Sequence, residues 1–211
     1  MKKLILFILA TIILIGCNKK ITLKGCVLNP VTNQGIEGYT IAVSADTWEL
    51  PGGAKPVGEI TSDTNGDFVL EFKKSGYDFS VYKEGYYNIG WYQNGEILPG
   101  QLPVKDKGKT MHADFYAVPY GLIQLKVNNA NCLDANDHFV LYAEGTQADD
   151  SKNGKMIDEY GCYYYDPGGY TKVPMGERYY KYEVTRNSIT QTFYDTIFIG
   201  EGEYKIYEIN Y

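Results

Sequence analysis

Ser62-Asp63-Thr64-Asn65-Gly66-Asp67-Phe68-Val69-Leu70-Glu71-Phe72 holds a turn and a strand in eleven residues. Asp63 and Asn65 carry side-chain oxygens suited to bonding nearby amides, and Gly66 accepts a positive φ. Phe68, Leu70 and Phe72 then alternate with Val69 and Glu71. Alternation of period two buries one face of a strand and leaves the other in water, so the stretch reads as a turn feeding a half-buried strand. The same grammar extends outward. Ile21, Leu23, Gly25 and Val27 alternate with Thr22, Lys24 and Cys26, and Ile41, Val43 and Ala45 follow suit, with Asn33-Gln34-Gly35 and Pro51-Gly52-Gly53 as turns between strands. Further strands are predicted near 78–83, 86–92, 111–118, 122–127, 138–144, 178–187, 190–199 and 203–210.

Composition agrees with this pattern. Twenty-one Tyr and twenty-three Gly, spread among Val, Ile and Thr, describe short strands joined by tight turns, and no apolar repeat runs at helical spacing. The predicted fold is all-β, with two tandem Ig-like or transthyretin-like β-sandwiches at 21–118 and 119–211. Their boundary is placed at Ala117-Val118-Pro119-Tyr120-Gly121, because proline interrupts the strand pattern there. Gly145 to Pro174 is read as a long loop rich in Gly, Asp and Tyr, serving as a binding loop or a flap.

Several residues of the first half resemble the carboxypeptidase regulatory-like family. Gly25-Cys26-Val27 is similar to its Gly-x-Val strand, Thr32 to Gly38 followed by Ile41-Ala42-Val43 to its first turn and second strand, Ser62 to Phe68 to its Thr-Asp-x-x-Gly-x-Phe hairpin, and Lys83-Glu84-Gly85-Tyr86 to its Lys-x-Gly-Tyr corner. The match departs at Gly35, where the family has proline, and at Ser62, where it has threonine. The resemblance covers about residues 21–118 and implies a transthyretin-like sandwich used for structure or recognition, with no catalytic residue to transfer.

The N-terminus reads differently. Lys2-Lys3, the apolar run Leu4 to Ile15 and the tetrad Leu14-Ile15-Gly16-Cys17 resemble a bacterial lipobox, and the run is short for a membrane span. The resemblance implies a signal peptide over 1–16, cleavage before Cys17, and lipidation of Cys17, with 17–20 as a short linker. The expected location is the bacterial cell envelope, anchored by lipid in the outer membrane. Removing Lys2 and Lys3 leaves 18 basic residues against 26 acidic ones and moves the formal charge from −6 to −8. Such a body is a poor polyanion binder, so nucleic acid is not an expected partner.

Export also bears on the cysteines. With Cys17 taken by lipid, Cys132 and Cys162 lie in loop-like sequence of one domain and are candidates for a disulfide, while Cys26 is read as a packed lone thiol. Asp63-x-Asn65-x-Asp67 resembles the start of a calcium loop, but Gly66 is misplaced for one and a turn accounts for every residue. Asp134-Ala135-Asn136-Asp137 is read the same way, with Asp149-Asp150 and Asp158-Glu159 permitting at most a weak surface cation site. No metal ligand set and no cofactor motif is identified. Nucleophile-elbow, zinc-protease, phosphate-loop and dinucleotide signatures are missing, and His112 and His138 each fall within a strand, so no catalytic residue is assigned.

The aromatic surplus remains. Trp48, Trp91, Tyr163, Tyr164 and Tyr165 form the candidate binding patch, since adjacent rings in a strand point to opposite faces and cannot all be core. Two functions follow from this reading: a non-catalytic envelope module that binds a protein partner or spaces an assembly, and, as the alternative, a carbohydrate-binding lipoprotein that stacks rings on a glycan.

Overall fold

The computed structural model of the protein describes residues 20–47, 53–73, 77–98, 101–103, 109–148 and 154–211. Cys17, Trp48 and Asp149-Asp150 lie outside these residues. The described chain is all-β and divides into two compact units. One comprises residues up to Asn29, Asn33–Glu84 and Gly90–Tyr116, and the other Pro30–Thr32, Gly85–Ile89 and Ala117–Tyr211.

The first unit holds β1 (Lys20–Asn29), β2 (Gln34–Gly35), β3 (Thr40–Thr47), β4 (Gly53–Thr61), β5 (Asp67–Lys73), β6 (Tyr77–Tyr82), β8 (Glu96–Leu98) and β9 (Thr110–His112), with parts of β7 (Tyr86–Gln93) and β10 (Asp114–Asn128). β1 is the spine. It runs antiparallel to β5 from Lys20↔Lys73 to Cys26↔Asp67 and parallel to β9, then passes to β2 and, at Val27↔Phe115, to β10. A second sheet, β4-β3-β6, is antiparallel throughout. The predicted alternations become two inward faces: Ile21, Leu23, Phe68, Leu70 and Phe72 on one sheet, and Ile41, Val43, Phe79 and Val81 on the other, all buried. Phe72 meets Phe79 edge to face with centroids 5.7 Å apart, which ties the sheets together.

The turn at Ser62 to Asp67 closes this unit as the sequence suggests. Asp63 Oδ1 accepts from the amides of Asn65 and Asp67, both at 2.9 Å, and Gly66 sits at φ +83°. Ser62 is buried, donating to the Ile36 carbonyl at 2.7 Å and accepting from the Tyr39 amide at 2.9 Å. Gly25 allows β1 to pass close to the backbone at Ala113, since a Cβ there would lie 1.8 Å from the Ala113 carbonyl oxygen.

The second unit holds β11 (His138–Thr146), β12 (Gly154–Tyr160), β13 (Tyr164–Tyr165), β14 (Thr171–Pro174), β15 (Gly176–Arg186), β16 (Ile189–Ile199) and β17 (Tyr204–Asn210), with most of β10. One sheet is the antiparallel β12-β11-β15-β16. In the other, β10 pairs antiparallel with β13 and β14 and parallel with β17 from Leu122↔Tyr204 to Asn128↔Asn210. Ile123, Val127, Val173, Tyr207 and Ile209 from this sheet meet Phe139, Leu141, Tyr180, Val184 and Ile199 from the other in one buried cluster. Each fully buried aliphatic or phenyl side chain contributes roughly 1.5–3 kcal/mol, so this interleaving stabilises the sandwich.

Two expectations need correction, and one strand was not foreseen. Pro119 does not break a strand: β10 runs from Asp114 to Asn128, and Pro119 falls between its ladder with β1 and its ladder with β14, its carbonyl accepting from the Met175 amide at 2.9 Å. Gly145 to Pro174 is not one long loop, because β12, β13 and β14 lie within it. β12 is almost wholly exposed, so it lacks the alternation that reveals a strand. β4 escapes notice for the same reason, being an exposed edge that carries Pro56.

The close approach at Gly25 yields a test. Gly25→Ala should lower the unfolding free energy of the first unit by about 3 kcal/mol, through overpacking against backbone that cannot yield cheaply. Urea unfolding followed by Trp91 fluorescence reports on that unit.

Candidate functional site

The four described aromatic residues of the predicted patch do not form one exposed surface. Trp91 is 2% exposed and forms the hub of the first unit's core, edge to face with Phe79 at 5.5 Å and with Phe115 at 5.1 Å. It cannot meet a ligand there, and its candidacy is withdrawn. Alternation sends its neighbour Tyr92 the other way, where it stacks on Tyr116 at 4.7 Å. Trp48 lies outside the described residues. Tyr163 is half-buried against the second unit's core, and Tyr164 is 65% exposed.

Tyr163 and Tyr165 line a cleft of about 220 Å³ with Leu125, Met156, Ile157, Asp158 and Glu159. Small-molecule pockets usually enclose about 300–1,000 Å³, so this cleft suits a single side chain better than a substrate. Its acids are largely committed. Asp158 accepts from Lys155 and is 2.6 Å from His138 Nε2, and these partners hold its carboxyl below the usual aspartate range, Lys155 most strongly. His138 stacks on Tyr160 with centroids 4.0 Å apart, so it serves packing and pairing. His112 stands on β9, exposed, with its carbonyl accepting from Gln93 at 2.9 Å.

Beside the cleft lies a polar knot. Asp137 is buried, and its Oδ2 accepts from the Leu133 amide at 3.0 Å, Asn129 Nδ2 at 3.1 Å and Arg186 Nε at 3.2 Å. Arg186 Nη2 also donates to Asn129 Oδ1 at 2.6 Å. A disulfide between Cys132 and Cys162, with Cα atoms 5.2 Å apart, clamps the same two connections together. Asp134 is the turn residue of the acidic cluster, accepting from the Asn136 amide at 2.7 Å, whereas Asp137 anchors the fold. Cys26 carries a free thiol that burial, followed by Asp67 and Asp114, pushes up to about 11, so it is not a nucleophile at neutral pH. Among the described residues no group of three or more His, Cys, Asp or Glu is placed to hold a metal.

The most open feature of the second unit is β16. It forms a hairpin with β15 through Asn187 and Ser188, at φ +48° and +63°, and pairs with β15 without a register shift from Arg186↔Ile189 to Gly176↔Ile199. Nothing pairs with its other side among the described residues. The hairpin aims the amides and carbonyls of Ile189, Gln191, Phe193 and Asp195 at β15. Those of Thr190, Thr192, Tyr194, Thr196 and Phe198 therefore point outward. The far end is closed in part: Asp195 Oδ1 accepts from the Thr196 amide at 2.8 Å, and Lys205 donates to the Phe198 carbonyl at 2.7 Å. Asp195 also accepts from Tyr207 Oη at 2.9 Å, and burial followed by this carboxylate raises the Tyr207 phenol well above its ordinary range. The open stretch is Thr190 to Tyr194. Tyr194 is 76% exposed, and Ile189, Phe193 and Phe198 are exposed as well.

No sequence motif marks β16, although its composition is a signal in hindsight. Ile-Thr-Gln-Thr-Phe-Tyr-Asp-Thr-Ile-Phe-Ile holds one charge, no proline and no glycine in eleven residues.

No protein-family model matches the chain, and neither does any curated protein. Solved structures similar to it include the Bacillus anthracis TIE protein, at 16% identity and TM-score 0.34, covering 92% of this chain and 34% of that one. The major pilin subunit BcpA of Bacillus cereus is similar at 11% identity and TM-score 0.34, covering 86% and 69%. GBS52, the minor pilin of Streptococcus agalactiae, is similar at 10% identity and TM-score 0.32, covering 92% and 96%. The chain thus spans about a third of the TIE protein chain. The all-β assignment rests on the sheets described above.

Two outcomes test the knot. Asp137 has a lowered pKa, caused first by the Leu133 amide and then by Asn129 and Arg186, and Asp166, paired with Lys126, is lowered to about 2. A lowered folded-state value contributes stability that is present above the ordinary aspartate pKa of 3.8 and lost as pH falls through the folded value. The urea midpoint of the second unit should therefore drop between about pH 4 and pH 2, with a shallower fall in Asp137→Asn. Separately, Cys162→Ser should cost roughly 3–4 kcal/mol, the loop-closure value for a disulfide of this span, measurable by denaturant unfolding.

Proposed function

We propose that the protein is a non-catalytic module of the bacterial cell envelope, tethered by lipid at Cys17, that binds a protein partner by adding a strand to β16. The open, uncharged stretch Thr190 to Tyr194 carries the reading, since main-chain groups along an edge supply affinity and alternate side chains supply specificity. The disulfide between Cys132 and Cys162 supports an oxidising compartment, in keeping with the export signature before Cys17. In this reading the first unit is a carboxypeptidase regulatory-like spacer. Its family-like residues shape backbone: Gly25 makes a close approach, Gly66 a positive φ, and Lys83 caps the Glu37 carbonyl at 2.6 Å. The glycan-binding alternative keeps exposed Tyr164 but loses Trp91 to the core.

Two measurements check this. Cys17→Ala should move the protein from the membrane fraction to the soluble fraction, because two or three acyl chains supply the anchoring energy. A photo-crosslinker placed at Thr192 in intact envelopes should yield a discrete protein adduct, while the same group at exposed Val69 in the first unit should not. Equal adducts at both positions, or none at Thr192, would overturn the docking edge.

A further inference from the structure

Edge strands are hazards that proteins usually blunt with charge, proline, bulges or brevity. The other edges among the described residues follow that rule. β4 carries Lys55, Pro56 and Glu59 beside a register shift in β3; β12 carries Lys155, Asp158 and Glu159 beside a shift in β11. β17 carries Lys205 and Glu208, β6 carries Asp78 within six residues, and β14 is four residues long with Lys172 and Pro174. Among the described edges β16 alone is long, regular and free of Lys, Arg, Glu and Pro. Its one charge, Asp195, is held by Tyr207 and by the Thr196 amide.

The pattern of open and closed groups also selects an occupant. The open residues Thr190, Thr192 and Tyr194 are symmetric about Thr192, and the two groups with partners already, the Thr196 amide and the Phe198 carbonyl, lie to one side of them. A second β16 laid antiparallel about a twofold axis at Thr192 pairs the outward amides and carbonyls of Thr190, Thr192 and Tyr194 and leaves the bonded Thr196 amide and Phe198 carbonyl undisturbed. Thr192 then faces Thr192 of the second copy, Thr190 faces Tyr194, and Gln191 faces Phe193. Thr–Thr and aromatic–β-branched pairs are favourable across strands, and Asp195 falls opposite Ile189, so no like charges meet. Building on the docking edge proposed above, we propose that its occupant is a second copy of this chain. Two four-stranded sheets then join into one continuous sheet across an isologous interface.

The test uses the full lipidated chain in detergent, by sedimentation velocity over a concentration series, together with oxidative cross-linking in envelopes. Wild type should show a concentration-dependent dimer, strengthened by added salt because screening weakens repulsion between copies of formal charge −6 or below. Thr192→Pro removes an outward amide that β15 does not use, so it should leave the fold intact and weaken dimerisation by more than about tenfold. Thr192→Lys serves as a second blunting variant, changing only an exposed side chain. In the hydrogen-bonded pairing the two Thr192 Cα atoms lie about 5.5 Å apart, within disulfide reach, so Thr192→Cys should cross-link on oxidation. Thr196→Cys should not, because that pair lies about 27 Å apart in this register. A monomer at all concentrations, a dimer unaffected by both blunting variants, or equal cross-linking from both cysteines would overturn the homotypic pairing. A Thr192 photo-adduct containing a different protein would refute it while leaving the docking edge in place, whereas no adduct would remove both.

Discussion

The N–H and C=O groups along the side of a β-sheet must be paired, covered or left to water, and that requirement organises most of this molecule. Within each sandwich the inward faces are settled by burial, as in the second unit, where Ile123, Val127 and Tyr207 meet Phe139, Leu141 and Tyr180. The edges have no such automatic solution. Each is handled by its own device: Pro56 on β4, the charges of β12, and Lys205 reaching across to the Phe198 carbonyl. Where those devices stop, at Thr190 to Tyr194, a surface remains with the properties of an interface. Its backbone is extended and regular, its side chains are Thr, Gln and aromatic, and it carries no charge.

The hairpin end of the second unit, where Arg186 pairs with Ile189, is held by polar chemistry. Asp137 is a carboxylate out of contact with water whose oxygen accepts from an amide, an asparagine and an arginine. Burying a charge is tolerable only with such partners, and breaking the set leaves an uncompensated ion. The Arg186 guanidinium also lies over the Tyr211 ring, 5.4 Å from its centroid, and Tyr211 stacks on Phe139 at 4.5 Å. The knot is therefore continuous with the core, and the disulfide beside it closes the same gap covalently.

Much of the fold was legible in the sequence. Phe68, Leu70 and Phe72 announced a half-buried strand, and Asp63 with Gly66 announced its turn, because both signals arise from neighbours a few residues apart. Strands without alternation were not legible. β4 and β12 are exposed on nearly every residue, so nothing periodic separates them from loop. Pro119 misled for a related reason, since its effect depends on whether a partner needed its N–H, which is a property of the ladders on either side.

The candidate site shows the sharper division. Local chemistry determined that Trp91 and Tyr92 point to opposite faces and that Asp134 caps a turn. Only the tertiary structure decided which of the two rings joined the core, and only it distinguished Asp137 from the acid three residues before it. The identity of an open edge belongs to the same class. A strand's alternation is written in its own residues, but whether its second side finds a partner depends on the order of strands in the sheet, set by contacts between residues far apart in the chain.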